Sequence, residues 1–136
     1  MTSHELTYLI DTNVILRYLL DDHPDHSPKA LRFMKDVSKG KKKAEILDPV
    51  LMECIYVMEK FYKIPRPIIV DRLSRIINFS GIINSNKATL VSALLTYQTQ
   101  SVDIVDCLLN AYSSPNRVVV SFDKDFEVLK GSWLNI

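Results

Sequence analysis

A chain of 136 residues, 47% hydrophobic and 24% charged, is long enough to bury one real core and too short for two ordinary domains. Its formal net charge of +1 excludes recognition of a polyanion by bulk charge, so a nucleic-acid partner would have to meet a local patch. The N-terminus lacks the regions of a signal peptide, and no apolar run approaches the roughly 18 residues of a membrane helix. Cys54 and Cys107 sit in apolar helical patterns without pairing or metal-ligand spacing. The expectation is one cytoplasmic domain over residues 1–136, with no membrane contact and two buried free thiols.

In chain order, Tyr8-Leu9-Ile10-Asp11 reads as a short buried strand that carries a carboxylate to its end. Thr12 and Asn13 then open a largely buried helix, for which Asp11 could serve as no more than the cap. The Pro- and Asp-rich stretch from Asp21 to Pro28 predicts a loop, with Ser27 as N-cap and Pro28 at the first position of a second helix ending near Val37. Lys39 to Lys43, broken only by Gly40, reads as a solvated basic loop. Ala44 to Asp48 fits a second strand, and Pro49 opens a helix through Tyr62 with Val50, Cys54, Val57, Met58 and Phe61 on one face. The apolar faces around Phe61 and Ile69 are read as core rather than as a dimer surface.

A helix from Ile68 to Phe79 follows, with Ile69, Leu73, Ile76 and Ile77 inward, and Gly81 to Asn84 is a brief strand or turn. Ser85 or Asn86 caps a helix carrying Leu90, Ala93, Leu94 and Tyr97, and Ser101 or Asp103 caps another that runs to Tyr112. The unbroken apolar run in Arg117 to Phe122 predicts a strand buried on both faces. A short helix from Asp123 to Leu129 and a tail around Trp133 end the chain. Strands alternating with helices predict an α/β sandwich with a short central parallel sheet.

Four acids stand out by position. Asp11 ends the first strand, Glu53 is expected on the first turn of a helix, Asp106 on the first turn of another, and Asp123 directly after the last strand. In a parallel sheet strand ends and the starts of the following helices converge, and ligands bind at that edge. Carboxylates drawn together there repel unless a divalent cation compensates them, and oxygen donors suit Mg²⁺ or Mn²⁺. No softer site competes, because His4, His23 and His26 fall on the N-terminal arm or in a polar loop. Such a site suits phosphodiester hydrolysis. Glu53 interrupts the apolar stretch Leu51 to Ile55, where an unpaired carboxylate would be costly; Asp103 and Asp125 compete with Asp106 and Asp123 as caps or extra ligands.

Together these stretches resemble the PIN-domain ribonucleases, and in particular the VapC-type toxins of toxin–antitoxin systems. Leu9 to Leu20, Pro49 to Glu59, Val102 to Ala111 and Val120 to Phe126 are similar to the family's four motifs in order, with Ser121 where threonine is more usual. The resemblance implies a PIN-like α/β/α sandwich and a Mg²⁺- or Mn²⁺-dependent endoribonuclease acting on single-stranded or loop RNA. It further implies a homodimer and a small antitoxin whose segment lies in the active-site groove. Asp11, Asp106 and Asp123 would hold metal, Glu53 would bind through water or position the attacking water, and Asn13, Ser121, Arg17 and Asp103 would support them. Two other readings share the fold: an RNA-binding regulatory protein that retains the acids without turnover, and a metal-dependent phosphohydrolase of small phosphoesters.

Overall fold

The computed structural model describes residues 6–136, so His4 lies outside the described residues. The chain forms two compact units, residues 1–85 and 86–136.

In the first unit, β1 (Thr7–Leu9) pairs in parallel with β2 (Lys43–Glu45), in the register Tyr8 to Ala44. Between them come α1 (Thr12–Leu20) and α2 (His26–Ser38), packed on each other. Gly40 takes a φ of 75° to end α2, a conformation that costs a glycine little. The expected buried first strand is corrected: all three residues of β1 are exposed, because β2 is its one strand partner in the unit, and burial begins only at Ile10.

The second helix also starts earlier than expected. Ser27 is not its cap but lies buried inside the first turn, where its hydroxyl donates to the Arg17 carbonyl (2.9 Å) and accepts from the His23 N–H (3.1 Å). His23 Nδ1 takes over the capping task and accepts from the backbone N–H groups of Asp25 and His26.

The stretch 81–84 extends the β1–β2 pair. Ile82 bridges Ala44 in parallel, the Ala44 N–H donates to the Gly81 carbonyl, and the Ile83 N–H donates to that of Ala44. Asn84 then continues the ladder with its side chain, accepting from the Ile46 N–H (2.9 Å) and donating to the Ile46 carbonyl (2.7 Å). Gly81 is required by close approach, since a Cβ there would collide with the backbone oxygens of Lys42 and Val37.

From Asp48 the chain enters α3 (Asp48–Tyr56), which passes directly into a π-helical turn, Val57–Phe61. Leu51, Cys54, Ile55 and Met58 form the buried face. Phe61, expected in the core with Val50 and Val57, is 75% exposed. The cause is the wider i→i+5 closure, seen where the Tyr62 N–H donates to the Val57 carbonyl; each residue then advances by less than the α-helical step, and Phe61 swings out of the apolar face. Helix α4 (Arg66–Ile77) buries Ile69, Leu73, Ile76 and Ile77 as the periodicity predicts.

In the second unit, α5 (Lys87–Thr99) packs on α6 (Ile104–Tyr112), burying Leu90, Ala93, Leu94 and Tyr97 against Ile104, Cys107 and Leu108. β3 (Val119–Ser121) pairs in parallel with β4 (Trp133–Asn135) around α7 (Asp125–Leu129). The tail around Trp133 is thus a strand. Burial of the apolar run on both faces is corrected as well: Val118 and Val120 are about half exposed, as β3 has β4 alone beside it in this unit. Among the described residues no helix is long and apolar enough to cross a membrane.

Candidate active site

Asp11 follows Ile10 at the end of β1 and occupies the N-cap position of α1, with φ −76° and ψ 152°. Its carbonyl accepts from the N–H groups of Val14 and Ile15, but its carboxylate makes no capping bond. The backbone does the capping and leaves the exposed side chain to other chemistry, which disfavours a purely structural role. Asn13, two residues on and past the buried Thr12, is exposed.

Glu53 lies on the second turn of α3, not the first, and its side chain is exposed rather than set in an apolar surface. The desolvation argument for it therefore falls away; what links it to Asp11 is a shared neighbour. Both acids act on the buried Cys54, whose thiol is pushed up to about 12 by burial first and then by Glu53 and Asp11. Cys54 Sγ faces the Thr12 carbonyl at 4.0 Å. Thiolate formation is needed for alkylation, so native protein at pH 8 should leave Cys54 unmodified by iodoacetamide over hours, and urea should expose it. Peptide mass spectrometry checks this.

Arg17 does not turn to a site acid. Its guanidinium pairs with Asp22 at 2.6 Å and donates to the Tyr62 hydroxyl at 3.4 Å, which itself donates to Asp22. The Tyr62 hydrogen bond, with Asp22 adding to it, raises its pKa further despite opposing desolvation, so it stays charged. A hollow of about 430 Å³ beside Asp11 is bounded by Tyr8, Val14, Lys29 and Phe33. Lys42, from the basic run, lies 5.9 Å and 5.4 Å over the rings of Tyr8 and Phe33 and 3.5 Å from Asp36, so it is more than a solvated loop residue.

In the second unit, Asp103 is the N-cap of α6, again without a side-chain capping bond, and Asp106 is the acid of the first turn. The Asp106 carboxyl is held above its ordinary value, by burial first and then by Asp123, Asp103 and Asp125. Asp123 is exposed and fixed from both sides: its N–H donates to Ser121 Oγ (2.9 Å), and its Oδ1 accepts from the Asp125 N–H (2.8 Å). Ser121 thus supports Asp123, while Asp125 starts α7.

Asp11 and Glu53 are linked through Cys54, on which both act, and Asp123 acts on Asp106, each pair within its own unit. Among the described residues no three His, Cys, Asp or Glu side chains converge as a ready metal site. Within the second unit the side chains around Asp106 nevertheless suit a hard cation, being carboxylates, with Asp106 burdened by like charge that such a cation would relieve.

Comparison with protein families gives a match to the PIN domain over residues 8–131. The chain belongs to the PIN domain family. PIN domains are generally nucleases that typically use divalent metals, and the match, spanning all four acids, supports a nuclease role for this chain. No curated protein matches it. As a PIN domain the chain has the α/β composition that the sequence predicts, with seven α-helices and short parallel strands among the described residues.

Sequence reasoning allowed that Arg17 contacts phosphate or pairs with an acid, but did not find Asp22 as that acid, the Tyr62 link, or the exposed pair Tyr56 and Phe61. Asp22 in the loop after α1 was a signal for the first. The exposed pair had none, because α-helical periodicity puts Phe61 inside.

Proposed function

We propose that this PIN domain is a Mg²⁺- or Mn²⁺-dependent endoribonuclease of the VapC type, the toxin of a toxin–antitoxin pair, acting on single-stranded or loop RNA. The observation that carries the reading is the electrostatic load on Asp106 from Asp123, Asp103 and Asp125, inside a chain that matches the PIN family over nearly its whole length. Asp11, Asp106 and Asp123 would hold the cation, with Glu53 joining through water. Bound there, the metal supplies a water made more acidic and a positive charge for the leaving oxygen. Glu53 would position the attacking water, and Ser121 keeps Asp123 in place by accepting from its backbone N–H. Asn13 orients substrate; Arg17, tied to Asp22, holds the end of α1 and the loop that follows it.

The hollow beside Asp11, with Tyr8, Val14 and Phe33 around it, suits an apolar side chain of a small antitoxin. A homodimer and a cytoplasmic location complete the reading. The test is incubation of purified protein with a mixed structured RNA pool in Mg²⁺, Mn²⁺ or EDTA, beside Asp11→Asn. Metal-dependent cuts absent from the variant are expected; cuts of equal rate in both would show a copurifying nuclease and overturn the assignment.

A further inference from the structure

A groove of about 510 Å³ lies against α3 and the π-helical turn, lined by Asn13, Arg17, Glu53, Tyr56, Lys60 and Phe61 among others. Tyr56 is 65% and Phe61 75% exposed, an unusual loss of burial for two large rings so close in sequence. The π-helical closure is what turns Phe61 outward, and such turns recur at functional sites. Phe61 is steadied by an edge-to-face contact with Tyr62 at 5.0 Å, and Tyr62 is held in turn by Arg17 and Asp22. The ring is therefore exposed but supported.

An apolar protein partner would ask for a continuous apolar patch. Here the two rings are interrupted by the ammonium of Lys60, the carboxylate of Glu53 and the amide of Asn13. Rings interleaved with cations and amides are the chemistry that takes an unpaired nucleic-acid strand, since every base has a face to stack and every nucleotide a phosphate to neutralise. Lys60 stands 4.0 Å from Glu59 Oε1, at the limit of ion pairing, while Arg66 holds the other oxygen at 2.9 Å; the half-exposed Lys60 ammonium is thus held loosely and can turn to a phosphate.

We propose that Tyr56 and Phe61 form a base-stacking platform for the unpaired RNA strand, delivering it past Glu53 with Lys60 on its backbone. The proposal rests on the ribonuclease reading and adds where the substrate lies. Its test uses a single-stranded oligoribonucleotide carrying 2-aminopurine, titrated with the full chain in EDTA so that binding is read without cutting. Wild-type protein should change the 2-aminopurine emission on stacking. Phe61→Ala and Tyr56→Ala should each weaken binding about tenfold, Phe61→Trp should retain it, and Lys60→Ala should flatten its salt dependence.

Wild-type protein that leaves the emission unchanged, or alanine variants that bind as wild type does, would overturn the platform. So would a wild-type dimer in sedimentation that Phe61→Ala dissolves, since a second copy would then cover the rings. Failure of the nuclease reading looks different: stacking with no metal-dependent cleavage leaves the platform standing, whereas cleavage with unchanged KM in the alanine variants removes the platform alone.

Discussion

Asp106→Asn is expected to cut RNA at least about 100-fold more slowly than the wild type and yet to be the more stable protein at neutral pH. The activity figure follows from removing a charged oxygen donor, given that loss even of a group supporting a metal ligand costs about 10–100-fold. The stability gain follows from the raised pKa of Asp106, which burial causes first and Asp123, Asp103 and Asp125 reinforce. A carboxyl that binds its proton more tightly folded than unfolded makes the folded state lose stability as pH rises from the ordinary value of 3.8 through the raised one. Above that window the full penalty is present, and below 3.8 both states are protonated and it vanishes. The amide cannot ionise and escapes the penalty.

Thermal unfolding of both proteins from pH 3 to pH 8 should therefore show curves that coincide at the acid end and part towards neutrality, with the variant higher. Mg²⁺ should raise the wild-type midpoint at pH 7 more than the variant's, because a ligand stabilises only the state that binds it. A variant less stable than wild type at pH 7 would show that Asp106 has a structural role in α6 instead.

Asn84→Ala should cost about 3 kcal/mol of stability, read as a lower urea midpoint at unchanged slope. The side chain satisfies both the N–H and the carbonyl of Ile46, a fully buried residue, at 2.9 Å and 2.7 Å. Truncation leaves a donor and an acceptor unmet where water does not reach, at about 1–3 kcal/mol for each such group. Asn84→Asp should not rescue, since a carboxylate can accept from the Ile46 N–H but has nothing to donate to its carbonyl. The damage should also reach the site. Ile46 precedes Leu47, the N-cap of α3, and α3 carries Glu53, so a loosened end of β2 frees the helix that positions that acid.

The identity of most elements was legible before any coordinates, the strand Trp133–Asn135 and the π-helical turn excepted. Buried Ile69, Leu73, Ile76 and Ile77 follow an undisturbed α-helical period, and Leu90, Ala93, Leu94 and Tyr97 do the same, so local pattern and burial agree. The pattern of four acids was visible too, because carboxylates stand out at the ends of apolar runs; the backbone places Asp11 at the N-cap of α1 and Asp106 in the first turn of α6, whereas Glu53 falls one turn later in α3 than its spacing suggested.

The errors have a common origin in what surrounds a segment. An apolar run states that Val118 to Val120 prefers to leave water, not how many strands will flank it, and β3 has only β4 in its unit. The exposure of Glu53 depends on how α3 turns its Leu51–Cys54–Ile55–Met58 face inward, and that of Phe61 on the closure at Val57, where the carbonyl meets an N–H five residues on. Asn84 shows the same limit, as an amide in a turn is unremarkable until a strand end 38 residues away presents its two unpaired backbone groups. The sequence by itself determined most of the helices and the pattern of four acids that resembles the family's motifs, because both are encoded in local spacing. Only the folded structure decided which faces those segments bury, how Asn84 completes the buried end of β2, and that the closure between Val57 and Tyr62 sets Phe61 outside with Tyr56, because burial and pairing depend on surroundings that local spacing does not specify.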